Sequence, residues 1–295
     1  MNVVIFFIIQ EVIFMSKFKP ILFSIISLCT FTFSAVLSAA PNSALLFGSV
    51  AQDTPAVMYK RLGPLKDYLS QALNRPVELK LSPNMGDAIK KVASNKVDVT
   101  YLTPVAYLRA HEQGNSQLIA KMVTNKRSTF QLMIVVRADS PIKTVEQLVG
   151  KKFAFGDKKA LLQRATVTGA GVSLEKLGSY EFIGHYDNIA RGVARGLYDA
   201  GILKDTKAFK WEKKGLRILY SSPHLPPYNI AASNKLDKQT IAALRKAFLQ
   251  LDINNPKHKN VIKALDKKYD GFVETSDAEY DIVRKLIQPF SKPAK

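Results

Sequence analysis

Cysteine is almost missing from this 295-residue chain: Cys29 is the only one. A single thiol cannot close an intramolecular disulfide, which excludes a disulfide-stapled scaffold and the cysteine-rich metal sites. Histidine is scarce too, and His111, His185, His224 and His258 stand far apart, without the i, i+4 spacing of helix-borne metal ligands. Also absent are GxSxG, HExxH, CxxC, GxxxxGK[ST] and GxGxxG, so the chain carries no nucleophile elbow, zincin helix, redox dithiol or phosphate-cradling glycine loop. A Ser/His/Asp triad leaves no linear trace, because its members meet only in three dimensions; nothing here favours one. Carboxylates are in short supply, with 24 Asp plus Glu against 43 Lys plus Arg, a formal net charge of +19. At 47% apolar and 23% charged residues the composition is that of a folded globular chain, not a disordered or collagen-like one. Past residue 40 no uncharged apolar run reaches the roughly 20 residues that span a bilayer, which argues against a multi-pass membrane protein.

Residues 15–40, MSKFKPILFSIISLCTFTFSAVLSAA, have the three-part layout of a secretory signal. A short basic start (Lys17, Lys19) leads into an apolar stretch from Ile21 to Leu37, followed by small residues ending at Ser38-Ala39-Ala40. The fourteen residues before Met15 carry Glu11 and no positive charge, so Met15 is the better start. Leu28 precedes Cys29 in mid-segment, which does not suit a lipoprotein anchor. The expectation is a signal peptide over 1–40, cut before Pro41, with export to the periplasm; the alternative is that the apolar stretch is retained as an anchor. The mature chain is then cysteine-free and still strongly basic. Its lysines come in scattered pairs (Lys90-Lys91, Lys151-Lys152, Lys213-Lys214, Lys267-Lys268), the pattern of solvated helix faces rather than of a nucleic-acid stripe. No nucleic-acid partner is expected; the surface attracts anions, whether small solutes or membrane head groups.

A length near 300 exceeds what one hydrophobic core usually serves, so two lobes are the first expectation. Short β-rich runs alternate with helical patterns. Strands are predicted over 44–50, 77–81, 97–102, 118–123, 130–137, 152–155, 180–183, 199–203 and 216–220, and helices over 58–73, 86–94, 145–150 and 188–197. That alternation indicates an α/β fold, each lobe a mostly parallel sheet flanked by helices. After residue 236 three helices are predicted (237–252, 256–269, 276–290) with no strand between them. The chain crosses between lobes twice, near TFQLMIVVRADSP (129–141) and SSPHLPPYNIAAS (221–233), the second stiffened by prolines. One lobe is therefore discontinuous, 41–133 with 225–295, and the other comprises 134–224.

In open α/β sheets ligands gather beyond the carboxyl ends of strands, where helix N-termini present free N–H groups. Five such junctions occur: 48–55, 101–107, 155–164, 182–188 and 202–206. Thr103, Asp187 and Asp205 each suit a helix cap as well as a ligand contact. His185 precedes the capping position and is assigned to ligand contact.

The segments LFGSVAQDTP, PVELKLSP, VDVTYLTPVAYLRA, IVVRADSPIKTVEQLVGKKFAFGD, FIGHYDNIARGV and YDAGILKDTKAF, in that order, resemble the PhnD-type substrate-binding proteins of phosphonate, phosphite and phosphate ABC importers. The resemblance runs from about Leu45 to Asp252 and implies the two-lobed type II periplasmic-binding-protein fold. In that family the stretch after Phe-Gly-Asp reads Pro-x-Ser-Thr-Ser-Gly, and its hydroxyls with the helix N-terminus hold the phosphorus oxyanion. Here the stretch is Lys158-Lys159-Ala160-Leu161-Leu162-Gln163. Met85 and Phe130 stand where tyrosines are usual, whereas His185 is kept. Each hydroxyl lost from a dry anion site forfeits about 1.5–3 kcal/mol; Lys158 and Lys159 offer compensation by charge, whereas the Ala160-Leu161-Leu162 run implies a less polar pocket wall, and weak binding of alkylphosphonates is expected.

The resulting expectation is a periplasmic solute-binding protein, not an enzyme. Two lobes close on a small anionic or polar ligand and hand it to an ABC permease in the inner membrane. The chain acts as a monomer without cofactor or metal. Ser49, Thr103, Phe130, Lys159, His185, Lys204 and Asp205 face the cleft. The alternative is a sensing subunit whose closed form docks on a sensor kinase or chemoreceptor. If the signal reading is right, N-terminal sequencing of the exported protein starts Pro41-Asn42-Ser43; a product retaining residues 21–37 contradicts it.

Overall fold

Proline and asparagine punctuate the helices at opposite ends. Pro55, Pro104 and Pro256 each open a helix, where a missing N–H costs nothing. Asn74, Asn95 and Asn115, in the left-handed conformation (φ 46°, 58° and 51°), follow the ends of the first three. In the structure, a computed structural model, residues 43–49 and 53–291 are described. The signal segment, Met15 and Cys29 lie outside them.

The element order is β1 (Leu45–Ser49), α1 (Pro55–Ala72), β2 (Val77–Leu81), α2 (Met85–Ala93), β3 (Val99–Leu102), α3 (Pro104–Gly114), β4 (Gln117–Thr124), β5 (Leu132–Arg137), β6 (Lys152–Phe155), α4 (Leu161–Gly169), β7 (Ser179–Phe182), α5 (Tyr186–Ala194), β8 (Ala200–Lys204), α6 (Asp205–Glu212), β9 (Leu216–Ser221), β10 (Asn229–Ala232), α7 (Lys238–Leu249), α8 (Pro256–Leu265), β11 (Tyr269–Val273) and α9 (Asp281–Ile287). Two sheets result, in the orders β11-β4-β10-β3-β1-β2 and β7-β6-β8-β5-β9. This is the expected α/β architecture. Most strands share a direction within their sheet; β10, β11 and β5 run the other way. The reason lies in the connections. Chain arriving from the other sheet enters at the carboxyl ends of its new neighbours, so Leu132 opens β5 opposite Lys204, and Asn229 opens β10 opposite Leu102.

Alternation along β5 divides the packing of the second sheet. Ile134 and Val136 face Phe153 and Phe155 on one side, and Met133 and Val135 join Ile189, Val193 and Leu216 on the other. In the first sheet α1 packs on α7 and α8, while α2 and α3 pack together beside β1, β3 and β10.

Four predicted elements differ. The segment 145–150 forms only a 3-10 turn, Glu146–Leu148, because Val149 is extended and Gly150 takes φ +72°. Phe130 is a bridge partner of Leu225, and the strand starts at Leu132. Asn229–Ala232 and Tyr269–Val273 are strands where a linker and an unbroken helical tail were predicted. The first is four residues buried on both faces between β3 and β4. The second holds Gly271 at φ +135° and a register shift, so neither shows period-2 alternation.

The last segment is a strap. Its first turn, Asp277–Tyr280, is fixed beside the first sheet. Asp277 accepts from the Tyr107 hydroxyl at 2.5 Å and takes both oxygens to Arg284; Glu279 pairs with Lys121; Ser276 and Glu279 close a capping box. α9 then lies on α4 beside the second sheet, close enough that a Cβ on Gly169 would stand 2.6 Å from Leu286 Cδ2.

Where α2 meets α3 the contact is closer still: a Cβ on Gly114 would lie 2.1 Å from the Ala93 carbonyl oxygen. Gly114→Ala is expected to cost about 1–3 kcal/mol through overpacking, read as a lower urea midpoint at unchanged slope. An unshifted midpoint means that the helices separate freely.

Candidate functional site

The two crossings join before either reaches its new sheet. Phe130 donates its N–H to Leu225 O at 3.0 Å, and Leu225 returns one to Phe130 O at 2.8 Å. Ser222 extends the ribbon by donating its N–H to Leu132 O at 2.9 Å and accepting the Leu132 N–H on Oγ at 3.0 Å. Gln131 Nε2 donates to Ser222 O at 2.6 Å.

Asp205 fastens the β8–α6 junction to this ribbon. It is 3% exposed, and its N–H donates to Gln131 O at 2.9 Å. Its Oδ2 accepts the Gln131 N–H at 3.3 Å and lies 3.9 Å from Arg127 Nη1, while Oδ1 accepts the Thr206 N–H at 2.6 Å. The neighbouring Lys204 is thereby held with its Nζ 4.8 Å from the Phe130 ring centroid, a cation–π contact. Among the described residues no carboxylate lies within 4 Å of that ammonium. Burial holds its pKa below the ordinary lysine value; the field of Asp205 opposes that shift, and Lys268 reinforces it.

Aromatic side chains stand at strand ends of the first sheet and at the start of α5. Tyr101 and Tyr228 stack at 5.1 Å with 14° between planes, and the Tyr101 and Tyr269 hydroxyls are 2.5 Å apart. Tyr186, which opens α5, lies within electrostatic reach of Tyr228 and Asp205. Burial pushes its pKa up to about 12 despite a 3.4 Å hydrogen bond from Gln163 Nε2. Tyr228 and Tyr269 are raised by burial as well. All three are therefore neutral phenols at physiological pH, able to donate a hydrogen bond.

The turn from β6 into α4 engages most of its backbone donors internally. Gly156 N–H goes to Gln163 Oε1 at 2.8 Å, Lys159 N–H to Asp157 Oδ1 at 2.8 Å, Ala160 N–H to Asp157 O at 2.9 Å and Leu161 N–H to Lys159 O at 2.9 Å. Gln163, 6% exposed, fills the space above Gly156, where a Cβ would meet its amide nitrogen at 2.8 Å.

Of the seven residues predicted to face the cleft, Phe130, Lys204 and Asp205 form one cluster. Ser49 ends β1 opposite Tyr101 and is 1% exposed. Thr103 caps α3, its Oγ1 accepting the Ala106 N–H at 3.2 Å, and sits 3.9 Å from Met85 Sδ. Lys159 is exposed on the β6–α4 turn, and His185 is exposed at the start of α5, after Gly184 at φ +81°. Among the described residues neither has a side-chain hydrogen bond or ion pair to the Lys204 cluster. Asp187 neither caps nor stands free, because its carboxylate pairs with Lys207 at 2.6 Å. Sequence reasoning missed Tyr101, Tyr186, Tyr228 and Gln163. The usable signal was aromatic residues beside strand tips, in VTYLTP, GHYDN and PPYN.

Three comparisons bear on this arrangement. The sequence profile of a family described as "ABC transporter, phosphonate, periplasmic substrate-binding protein" matches residues 47–280. The phosphonates-binding periplasmic protein of Escherichia coli K12 is 24% identical over 277 residues, covering 87% of this chain and 80% of that protein. Among solved structures, PhnD1 of Prochlorococcus marinus in complex with methylphosphonate superposes with TM-score 0.66 at 20% identity, covering 85% of this chain and all of that one. XAC2383 of Xanthomonas citri bound to ATP gives 0.69 at 20% identity, covering 83% and 95%. The fold is thus that of two-lobed periplasmic binding proteins.

Lys204 supplies a pH test. Its proton is bound more weakly in the folded chain than in the unfolded one, so it opposes folding at neutral pH. That opposition fades as pH rises through the folded-state pKa toward the ordinary lysine value. Lys204→Met is expected to raise the melting temperature at pH 7, with the gain shrinking as pH rises toward about 10. A lower melting temperature at pH 7 contradicts the uncompensated-charge reading.

Proposed function

Because the chain belongs to the family of periplasmic substrate-binding proteins of phosphonate ABC transporters, we propose that it captures a small anion by closing its two lobes about the Phe130–Leu225 ribbon. Substrate binding for transport, not catalysis, is the family's role, and nothing in its relatives favours the sensing alternative. In this reading residues 41–133 with 225–295 make one lobe and 134–224 the other. Residues 1–40 direct export and are removed, and the mature monomer delivers its ligand to a permease in the inner membrane.

The observation that carries the proposal is the unpaired Lys204 ammonium at the ribbon where the two crossings meet. An anion seated there neutralises a desolvated cation, which favours the closed state over the open one by the difference in its affinity for the two. Ser49 and Thr103 border the cleft from the first lobe, and Lys159 and His185 reach the ligand from the second. Phe130 is the shelf beneath it. Asp205 has another role: it holds Lys204 in place through its bonds to Gln131.

Small-angle scattering with thermal shift on the mature protein tests this. A bound anion at a hundredfold excess over Kd adds about 2.7 kcal/mol of stability and is expected to reduce the radius of gyration as the lobes close. Unchanged dimensions and melting temperature with every anion and with periplasmic small-molecule extract, or chemical turnover of a bound compound, would overturn it.

A further inference from the structure

We propose that the cleft selects an organic anion, with one anionic group against Lys204 and an apolar or aromatic body along Phe130, Tyr228 and Tyr186, and discriminates against compact hydrated oxyanions such as phosphate. The proposal rests on the binding-protein reading above and specifies the ligand class of that site.

Three independent features point to it. First, a compact oxyanion must exchange a full hydration shell for many donors, and among residues 159–163, which open α4, only the Leu162 N–H has no internal acceptor. The N–H groups of Gly156, Lys159, Ala160 and Leu161 are all taken internally, and Gln163 donates its N–H to Ala160 O at 3.1 Å. Second, the side chains that open α4 are Leu161 and Leu162, both partly buried and packed against the core. Third, Lys204 has an aromatic face beside it and no carboxylate within ion-pair distance among the described residues. An unpaired, half-buried ammonium is destabilising unless a ligand completes it.

The phenols close the other side. Tyr186 feels both Asp205, adjacent to Lys204, and Tyr228. Tyr269 feels both Tyr228 and Asp266, and Asp266 is also felt by Lys204. The ring in contact with the cation is Phe130, at 4.8 Å. Arg61, a cation in this field besides Lys268, already donates Nε and Nη2 to Leu265 O at 2.8 and 2.5 Å. Neutral phenols and the Lys204 ammonium suit one anionic group carried on an apolar body, which gains from burial against rings as well as from the charge.

Calorimetric titration of the mature protein with phenylphosphonate, benzoate, methylphosphonate and phosphate separates head group from body. The expected result is that phenylphosphonate binds at least about tenfold more tightly than methylphosphonate, with phosphate weakest. Lys204→Met should weaken phenylphosphonate at least about tenfold without lowering the melting temperature. Phe130→Ala should remove the phenyl preference while leaving methylphosphonate nearly unchanged, and the surface control Lys259→Met should do neither. Phosphate or methylphosphonate binding as tightly as phenylphosphonate, or phenylphosphonate binding unaltered in Lys204→Met, sinks the ligand class; lobe closure on phosphate in the same samples would leave the binding-protein reading standing. Failure of all four probes also sinks the ligand class, and the scattering experiment with periplasmic extract then decides the broader reading.

Discussion

The exchange of two backbone hydrogen bonds between Phe130 and Leu225 is the constraint from which the rest of the site follows. Two segments that connect separate sheets would ordinarily be independent tethers. Paired, they form one short ribbon, and every group bonded to it inherits a fixed position. Asp205 is bonded to it through both backbone and carboxylate. Lys204 is its chain neighbour and so keeps its ammonium over the Phe130 ring. A desolvated lysine without a carboxylate partner is an unfavourable arrangement in isolation, and it persists because the buried Asp205 anchor leaves the side chain few alternatives. This is the usual relation between a functional site and its support: local destabilisation is tolerated where the surrounding bonds over-determine the geometry.

Most of the framework was legible in the sequence, and the failures have specific causes. Strands with period-2 or continuous β-branched character, such as VELKL and LMIVVR, were predicted to within a few residues. The four-residue NIAA and the glycine-containing YDGFV were not, because a strand enclosed on both faces or broken by a bulge carries no alternation. The preceding prolines reinforced the linker reading. They do rigidify the crossing, yet the residues just beyond them pair on both edges with β3 and β4.

The site was less legible than the fold. Lys204 and Asp205 were proposed because junctions between strand tips and helices are where ligands collect, and Phe130 because it stands where the family carries a tyrosine; in the structure Asp205 bonds to the ribbon through Gln131. Tyr186 sits directly after His185 and was passed over in favour of the titratable neighbour. Tyr228 lies between prolines and a strand that had not been recognised. Gln163 is the least readable: only the structure reveals that its carboxamide occupies the Gly156 N–H and touches the Tyr186 hydroxyl. Pattern reading locates junctions; it does not tell which donors at a junction are already engaged.

The strap formed by Ser276 to Phe290 has a mechanical consequence. A body joined to another at a single narrow ribbon can swing and twist in several directions. A second point of attachment away from the ribbon removes most of that freedom and leaves rotation about the line joining the two. With Asp277 clamped to Tyr107 and Leu286 seated in the dimple left by Gly169, the tail would act as a guide rail in the proposed closure, whose path would be dictated as much by this C-terminal segment as by the two crossings.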